Sequence, residues 1–438
     1  MSESSRAGTS VLVVGGGFAG AACARKLGEH DVAVTLIDQH NYNQFQPLLY
    51  QVATAQLPPS DVARPMRWLF RRHRGVDVKL GHVTAIDPVA KTATCHDGTV
   101  FSGDYLVLAM GAEPNFFDTP GADTHAFPLY ALADAERLRS RFLGVLEDAY
   151  RDPTLLEQGA LNYVIVGAGA TGVEIAGAVS DVFERLIPNR VPGFPRDRVQ
   201  IHLVDPGKTV LAPFSERAQT YAQKVLEGRG VTLDLGVSVT DIASDRVTLS
   251  DGREILTRTV VWAGGIQAAR LASGAGLPQG HGGRVDVQED LTVSGFPGVY
   301  ALGDVANTLG PDGKPFPQLG SVALQAGRWA AQNILADMDG KERTPFRYRD
   351  KGIMAMIGRN AAIAEMGKRR RELHGTPAFA SWLGVHVALL SGYRERVNAL
   401  RGWAWNYVSK KRGAALLDRP DAAAIQWRRS SAPPSGRS

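Results

Sequence analysis

One ten-residue pattern occurs twice in this chain. VLVVGGGFAG (11–20) and YVIVGAGATG (163–172) stand 152 positions apart, and each runs an apolar strand into a GxGxxG turn. Small-residue helices follow, AACARKL in the first and VEIAGAVSDVF in the second, and then apolar strands that close on an acid, VAVTLID at Asp38 and VQIHLVD at Asp205. A single glycine-rich turn is weak evidence, because such turns also serve as plain punctuation. Two in matched context describe two βαβ units. The expected fold class is therefore α/β with two Rossmann-like dinucleotide-binding domains, and 44% apolar residues against 21% charged suit buried parallel strands.

The spacing assigns a role to each glycine. Gly15 permits the tight turn, Gly17 lets a pyrophosphate approach the backbone, and Gly20 allows the helix to pack closely on its strand; Gly16, Phe18 and Ala19 complete the turn. Free N–H groups and the helix dipole then favour the phosphates. Asp38, 18 residues past Gly20, is placed to accept hydrogen bonds from a ribose diol, with Gln39 beside it. The second unit repeats this with Gly167, Gly169 and Gly172. Its acid, Asp205, comes 33 residues later because SDVFERLIPNRVPGFPRDR lengthens the crossover. A carboxylate there repels a 2′-phosphate and favours NADH over NADPH, unless Asp205 is only a strand-end turn residue.

Further strands organise the rest. DYLVLAMG (104–111) reads as a buried strand ending at Gly111, and TVVWAGG (259–265) repeats that shape up to Gly264 and Gly265. VYALGDV (299–305) runs into Gly303 and Asp304 ahead of a helix from about Gly320 that carries Ala323 and Leu324. Asp304 suits a ribityl or phosphate contact, or a cap for that helix. The expected order is an FAD domain over 1–120, an NADH domain over 121–285, a return to the FAD domain over 286–345 and a C-terminal region over 346–438.

Cysteine usage narrows the chemistry. Only Cys23 and Cys95 occur, with no CxxC, so disulfide and sulfide chemistry through a dithiol is disfavoured, and no ligand cluster suggests a metal. The start MSESSRAGTS has no apolar run behind a basic cluster, so a cytosolic N-terminus is expected. The nearest approach to a spanning segment, 373–393, is interrupted by His374, Pro377, Ser381, His386 and Ser391. From Lys368 onward there are 14 Lys and Arg against 4 Asp and Glu, so the tail carries +10 while the whole chain carries +5. That asymmetry points to an anionic partner surface, and no nucleic-acid partner is expected.

The segment NYNQFQPLLYQVATA (41–55) carries a more specific signal. Together with TGVEIAG, VVWAGGIQA, YALGDVA, DKGIMAMIGR and WLGVHVALLSGYRERV, it resembles the type II (alternative, non-proton-pumping) NADH:quinone oxidoreductases, with motifs in family order from about residue 11 to 412. The resemblance implies a monotopic flavoprotein with non-covalent FAD, NADH as co-substrate, a membrane quinone as acceptor and a place on the cytoplasmic face of the cell membrane. It implies that Glu174 lies near the flavin and serves quinone reduction and proton delivery, with Lys351 as its neighbour. Gln46, Pro47 and Gln51 match the loop against the isoalloxazine, Val83 matches an FAD contact, and Gln51 and Gln325 belong to the quinone side. Ser321 stands where the family usually has a glutamine, which puts the quinone's type or binding mode in question.

From Trp382 the residues Val385, Leu389, Tyr393, Val397, Leu400, Trp403 and Tyr407 recur every three or four positions, with Arg394, Arg396, Arg401, Lys410, Lys411 and Arg412 among or just beyond them. Such a stripe suits a helix lying in an anionic bilayer surface. It would also serve as core or as a dimer seam, so a homodimer stays open. Two other functions use the same modules: a soluble NADH-dependent reductase of a protein such as ferredoxin, and a non-catalytic flavin-binding redox sensor.

Overall fold

The computed structural model describes residues 8–186, 195–367, 369–390, 392–409, 414–419 and 424–425. Lys368, Ser391, Lys410, Lys411 and Arg412 lie outside these, as does the end SSAPPSGRS, which its composition leads one to expect disordered. The elements that place the site begin with β1 (Ser10–Val14), α1 (Phe18–Gly28), β2 (Ala33–Asp38), β3 (Val76–Leu80), β4 (Tyr105–Leu108) and β5 (Ala126–Pro128). After α2 (Leu132–Arg151) come β6 (Asn162–Val166), α3 (Ala170–Asp181), β7 (Gln200–Asp205), β8 (Val231–Leu235), β9 (Thr259–Trp262) and β10 (Val299–Ala301). The chain continues through α4 (Gly320–Met338), β11 (Gly352–Gly358), β12 (Ala361–Met366), β13 (Arg371–His374), α5 (Thr376–Leu389) and α6 (Tyr393–Ser409).

Two compact units result. The first draws on residues 8–44, Ala63–Asn115 and Ile266–Asp350. Its sheet is parallel throughout, in the order β10-β4-β1-β2-β3, with Val11 opposite Val34 and Tyr105. Residues 299–301 thus do return to the sheet of the first motif. The second unit holds Phe45–Val62, Phe116–Gly265 and the described residues from Lys351 on. Its sheet, β5-β9-β6-β7-β8, is again wholly parallel. Both sheets place the motif-bearing strand at the centre, so the glycine turn opens at the carboxyl ends, where doubly wound sheets bind ligands.

Burial follows from composition. Val11, Leu12, Val13 and Val14 are all but inaccessible, as are Tyr163, Val164 and Ile165, because parallel strands covered on both faces have no polar side. Small residues on α1 allow close crossing: a Cβ at Gly327 of α4 would overlap the Ala19 carbonyl oxygen. Cys23 is fully buried in α1 and Cys95 is buried in the first unit, far apart and unpaired. Among the described residues no helix is long and apolar enough to cross a membrane, and no cluster of three His, Cys, Asp or Glu could hold a metal.

The C-terminal stripe needs correction. The expected single face is carried by two helices, α5 ending at Leu389 and α6 starting at Tyr393. Trp382 is wholly buried, whereas Val385, Leu389, Tyr393, Leu400 and Tyr407 are exposed. In α5 the buried residues Ala378, Trp382 and His386 follow a four-residue step, so they form an inner face and Val385 and Leu389 point away from it.

Candidate active site

In the first unit Gly15 sits at φ +99°, a conformation open to glycine, and a Cβ there would overlap the Ala109 carbonyl oxygen. A Cβ at Gly20 would strike the Gly15 carbonyl oxygen. Gly17 is different, for a Cβ there would meet nothing within 4 Å. It is also the N-cap of α1 and supplies no side-chain cap. The second unit repeats each feature: Gly167 at φ +103°, Gly172 against the Gly167 carbonyl oxygen, and Gly169 uncapped and open at the start of α3. Each motif thus offers the cradle that a dinucleotide pyrophosphate fits, shaped by two glycines its own chain fills and one it does not.

Other residues converge on the first cradle. Gly303, at φ +72°, would bring a Cβ within 3.2 Å of Ala19 and 3.3 Å of Ala323, and a Cβ on Gly320 would lie 3.0 Å from the Phe18 ring. The N-terminal ends of α1 and α4 therefore meet at the Gly303–Val305 turn, where Asp304 is half-buried. Asp38 Oδ2 accepts from Gly16 N–H at 2.6 Å and its Oδ1 from His40 N–H at 2.7 Å. Asp205 Oδ2 accepts from Ala168 N–H at 2.7 Å and its Oδ1 from Gly207 N–H at 2.6 Å. Each carboxylate fastens its own motif turn and keeps lone pairs for a ribose.

Glu174 lies on α3, two residues past Gly172. Its Oε1 accepts from the Met356 N–H of β11 at 3.2 Å. Although the residue as a whole is only half-buried, its carboxyl group is enclosed by protein, and that burial pushes its pKa up to about 8. The Met356 amide and the Trp382 indole N–H oppose the shift; the latter is fully buried and meets no partner at normal hydrogen-bond geometry. Trp382 stacks on His386 with centroids 3.8 Å apart, and burial holds that imidazole down to about 4, hence neutral. Tyr50 donates its hydroxyl to Met356 Sδ at 3.2 Å and meets Trp382 edge-on at 6.4 Å. An acid protonated at neutral pH, walled by aromatic rings, can deliver a proton where bulk water is thinned.

A family model for pyridine nucleotide-disulphide oxidoreductases matches residues 9–327. The type II NADH:quinone oxidoreductase NdhA of Mycobacterium tuberculosis is 36% identical over 93% of this chain and 89% of its own length. The enzyme Ndh of the same organism is 33% identical over 93% and 90%. The chain belongs to the type II NADH:quinone oxidoreductases. The fold agrees: a structure of NDH2 from Plasmodium falciparum in complex with NADH matches with a TM-score of 0.84 at 18% identity, covering 91% of this chain and 98% of that one.

As a type II NADH:quinone oxidoreductase, the chain disposes its expected site residues in two groups. Ser321, Gln325 and Asp304 lie in the first unit, while Glu174, Lys351, Gln46, Pro47, Gln51, Gly264 and Asp205 lie in the second. The Ser321 hydroxyl hydrogen-bonds the Tyr348 hydroxyl at 2.9 Å. Gln325 clamps Arg349, accepting from its N–H at 3.0 Å and donating to its carbonyl at 3.1 Å. Val83 packs on the core that holds Val14 and Ile37, and the Gly111 carbonyl accepts from Ala269 N–H at 3.2 Å.

Lys351 does not pair with Glu174. It is exposed at the start of β11, and among the described residues no ion pair joins the two. Five residues of extended chain, about 16 Å, separate it from Met356, the β11 residue that does touch Glu174. Sequence reasoning also missed Tyr50, Met356, Trp382 and His386 around Glu174. Tyr50 and Met356 stood inside the motifs FQPLLYQVAT and DKGIMAMIGR, but nothing in their spacing marked which side chains turn inward.

Proposed function

We propose that the protein oxidises NADH through non-covalent FAD and passes two electrons to a membrane quinone without pumping protons, as a peripheral protein on the cytoplasmic face of the cell membrane. The first unit, with the cradle at Gly17, Gly303 and Asp304, takes FAD; the second, with Gly169 and Asp205, takes NADH. FAD, when bound, supplies the two-electron chemistry, accepting hydride from NADH and returning electrons to the acceptor. The chain holds the dinucleotides by their phosphates and riboses and keeps a proton at Glu174.

The observation that carries this reading is the enclosed Glu174 carboxyl, protonated at neutral pH, against α3 and β11. Reduction of a quinone consumes two protons, whereas hydride transfer from NADH requires no acid. Stopped-flow absorbance separates the two halves. Glu174→Gln is expected to leave flavin bleaching by NADH within about twofold and to slow reoxidation by a short-chain quinone roughly a hundredfold. In the wild type the quinone step should fall as pH rises through about 8, because the proton donor is lost above that point; the variant should show no such fall. A loss confined to the NADH half would move Glu174 to nicotinamide positioning and remove the support.

A further inference from the structure

The polarity of one buried hydrogen-bond chain is set from its far end. Trp403 on α6 donates its indole N–H to Gln51 Oε1 at 2.7 Å. Gln51 Nε2 donates to the Tyr50 hydroxyl at 3.0 Å, Tyr50 donates on to Met356 Sδ at 3.2 Å, and Met356 N–H donates to Glu174 Oε1 at 3.2 Å. An indole is a donor only, so it dictates that the Gln51 oxygen faces α6 and the amide nitrogen faces Tyr50. Tyr50 must then accept from Gln51 and spend its own proton on Met356. Gln51 is 1% exposed and both ends of its amide are taken by protein, which leaves it a strut within the wall.

The seating of α6 is built to bring Trp403 in. Burial raises the pKa of Asp61, which a hydrogen bond from Asn398 opposes; Ala399 is fully buried; and a Cβ on Gly402 would lie 3.2 Å from Leu57 Cδ2. Residues 398, 399, 402 and 403 form one helical stripe, and it rests on the segment that carries Tyr50 and Gln51. Trp403 also packs beside Trp382 with centroids 6.0 Å apart.

We infer that Trp403 is a positioning residue for the quinone step: by fixing the Gln51 amide it directs the Tyr50 hydroxyl to Met356 and so holds the backbone amide that orients Glu174. Without the indole N–H, the Gln51 amide is free to turn its oxygen toward Tyr50. Tyr50 would then donate to Gln51, and Met356 would lose its tie. This inference rests on the role given to Glu174 above.

The test is a double-mutant cycle in the FAD-loaded full chain, with Trp403→Phe, Gln51→Leu and the pair, read as the two flavin half-reactions with NADH and with a short-chain quinone. Trp403→Phe should slow reoxidation by quinone about tenfold, the loss associated with one buried hydrogen bond, and leave bleaching by NADH within about twofold. Gln51→Leu should slow reoxidation equally, and the double variant no further, since both remove one link. Reoxidation at the wild-type rate in Trp403→Phe, or losses that multiply in the pair, overturns the inference. If Trp403→Phe fails to retain FAD, Gln51→Leu tests the same bond from its other end, and a wild-type rate there overturns it too. A wild-type protein that quinone does not reoxidise would instead refute the proposed function.

Discussion

At the level of single residues, Asp205 does two jobs that its place at a strand end allows. It closes the glycine turn by accepting from Ala168 and Gly207, and, as the ribose ligand proposed for the second unit, it would set a negative charge where a 2′-phosphate would lie. Asp205→Ala should therefore shrink the preference for NADH over NADPH by about ten- to a hundredfold, the range for one hydrogen bond to a charged group of roughly 1.5 to 3 kcal/mol. It should also raise the KM for NADH, because the turn loses a tie that the coenzyme does not replace. Ratios of kcat/KM for the two coenzymes check this, and a wild type that uses NADPH equally well would deny Asp205 its part in the choice.

At the level of elements, the parallel strands and their glycine turns were legible because burial on both faces and a demand for φ above zero leave few residue types to choose from. Val11 to Val14 and Gly15 are examples. The C-terminal helices were less so. Trp382 and Val385 both belong to the apolar stripe and stand three positions apart, yet one is walled in and the other faces outward, and only the chain it packs against decides which. Lys351 and Glu174 likewise have no sequence spacing that tells how far apart β11 carries them. The outward residues of α5, among them Val385 and Leu389, carry no charge, and the exposed Tyr393, Leu400 and Trp405 of α6 stand with Arg394 and Arg401. This suits the surface of an anionic bilayer. The pair Val385→Glu and Leu389→Glu should lower binding to anionic liposomes by at least about tenfold, since each apolar side chain contributes on the order of 1.5 kcal/mol or more when buried. Sedimentation with liposomes measures this; unchanged binding with FAD retained would place the membrane contact elsewhere.

At the level of the whole molecule, one five-stranded parallel topology appears twice, and the first copy gathers a third element, the Gly303–Val305 turn, onto its cradle. Heating should accordingly release close to one FAD per chain, measured by the absorbance of the freed flavin. A folded, colourless protein that cannot be reconstituted with FAD would rule that assignment out. The two cysteines bear on a different matter. Burial pushes the Cys23 thiol up to about 12, so it stays almost wholly protonated at pH 7, and Cys95 is raised as well by its own burial and by Asp97. The thiolate is the nucleophile that attacks peroxide and maleimide alike, so the native chain offers either reagent almost no nucleophile. A single cysteine introduced at an outward position of α5 would then report on its surroundings against a silent background.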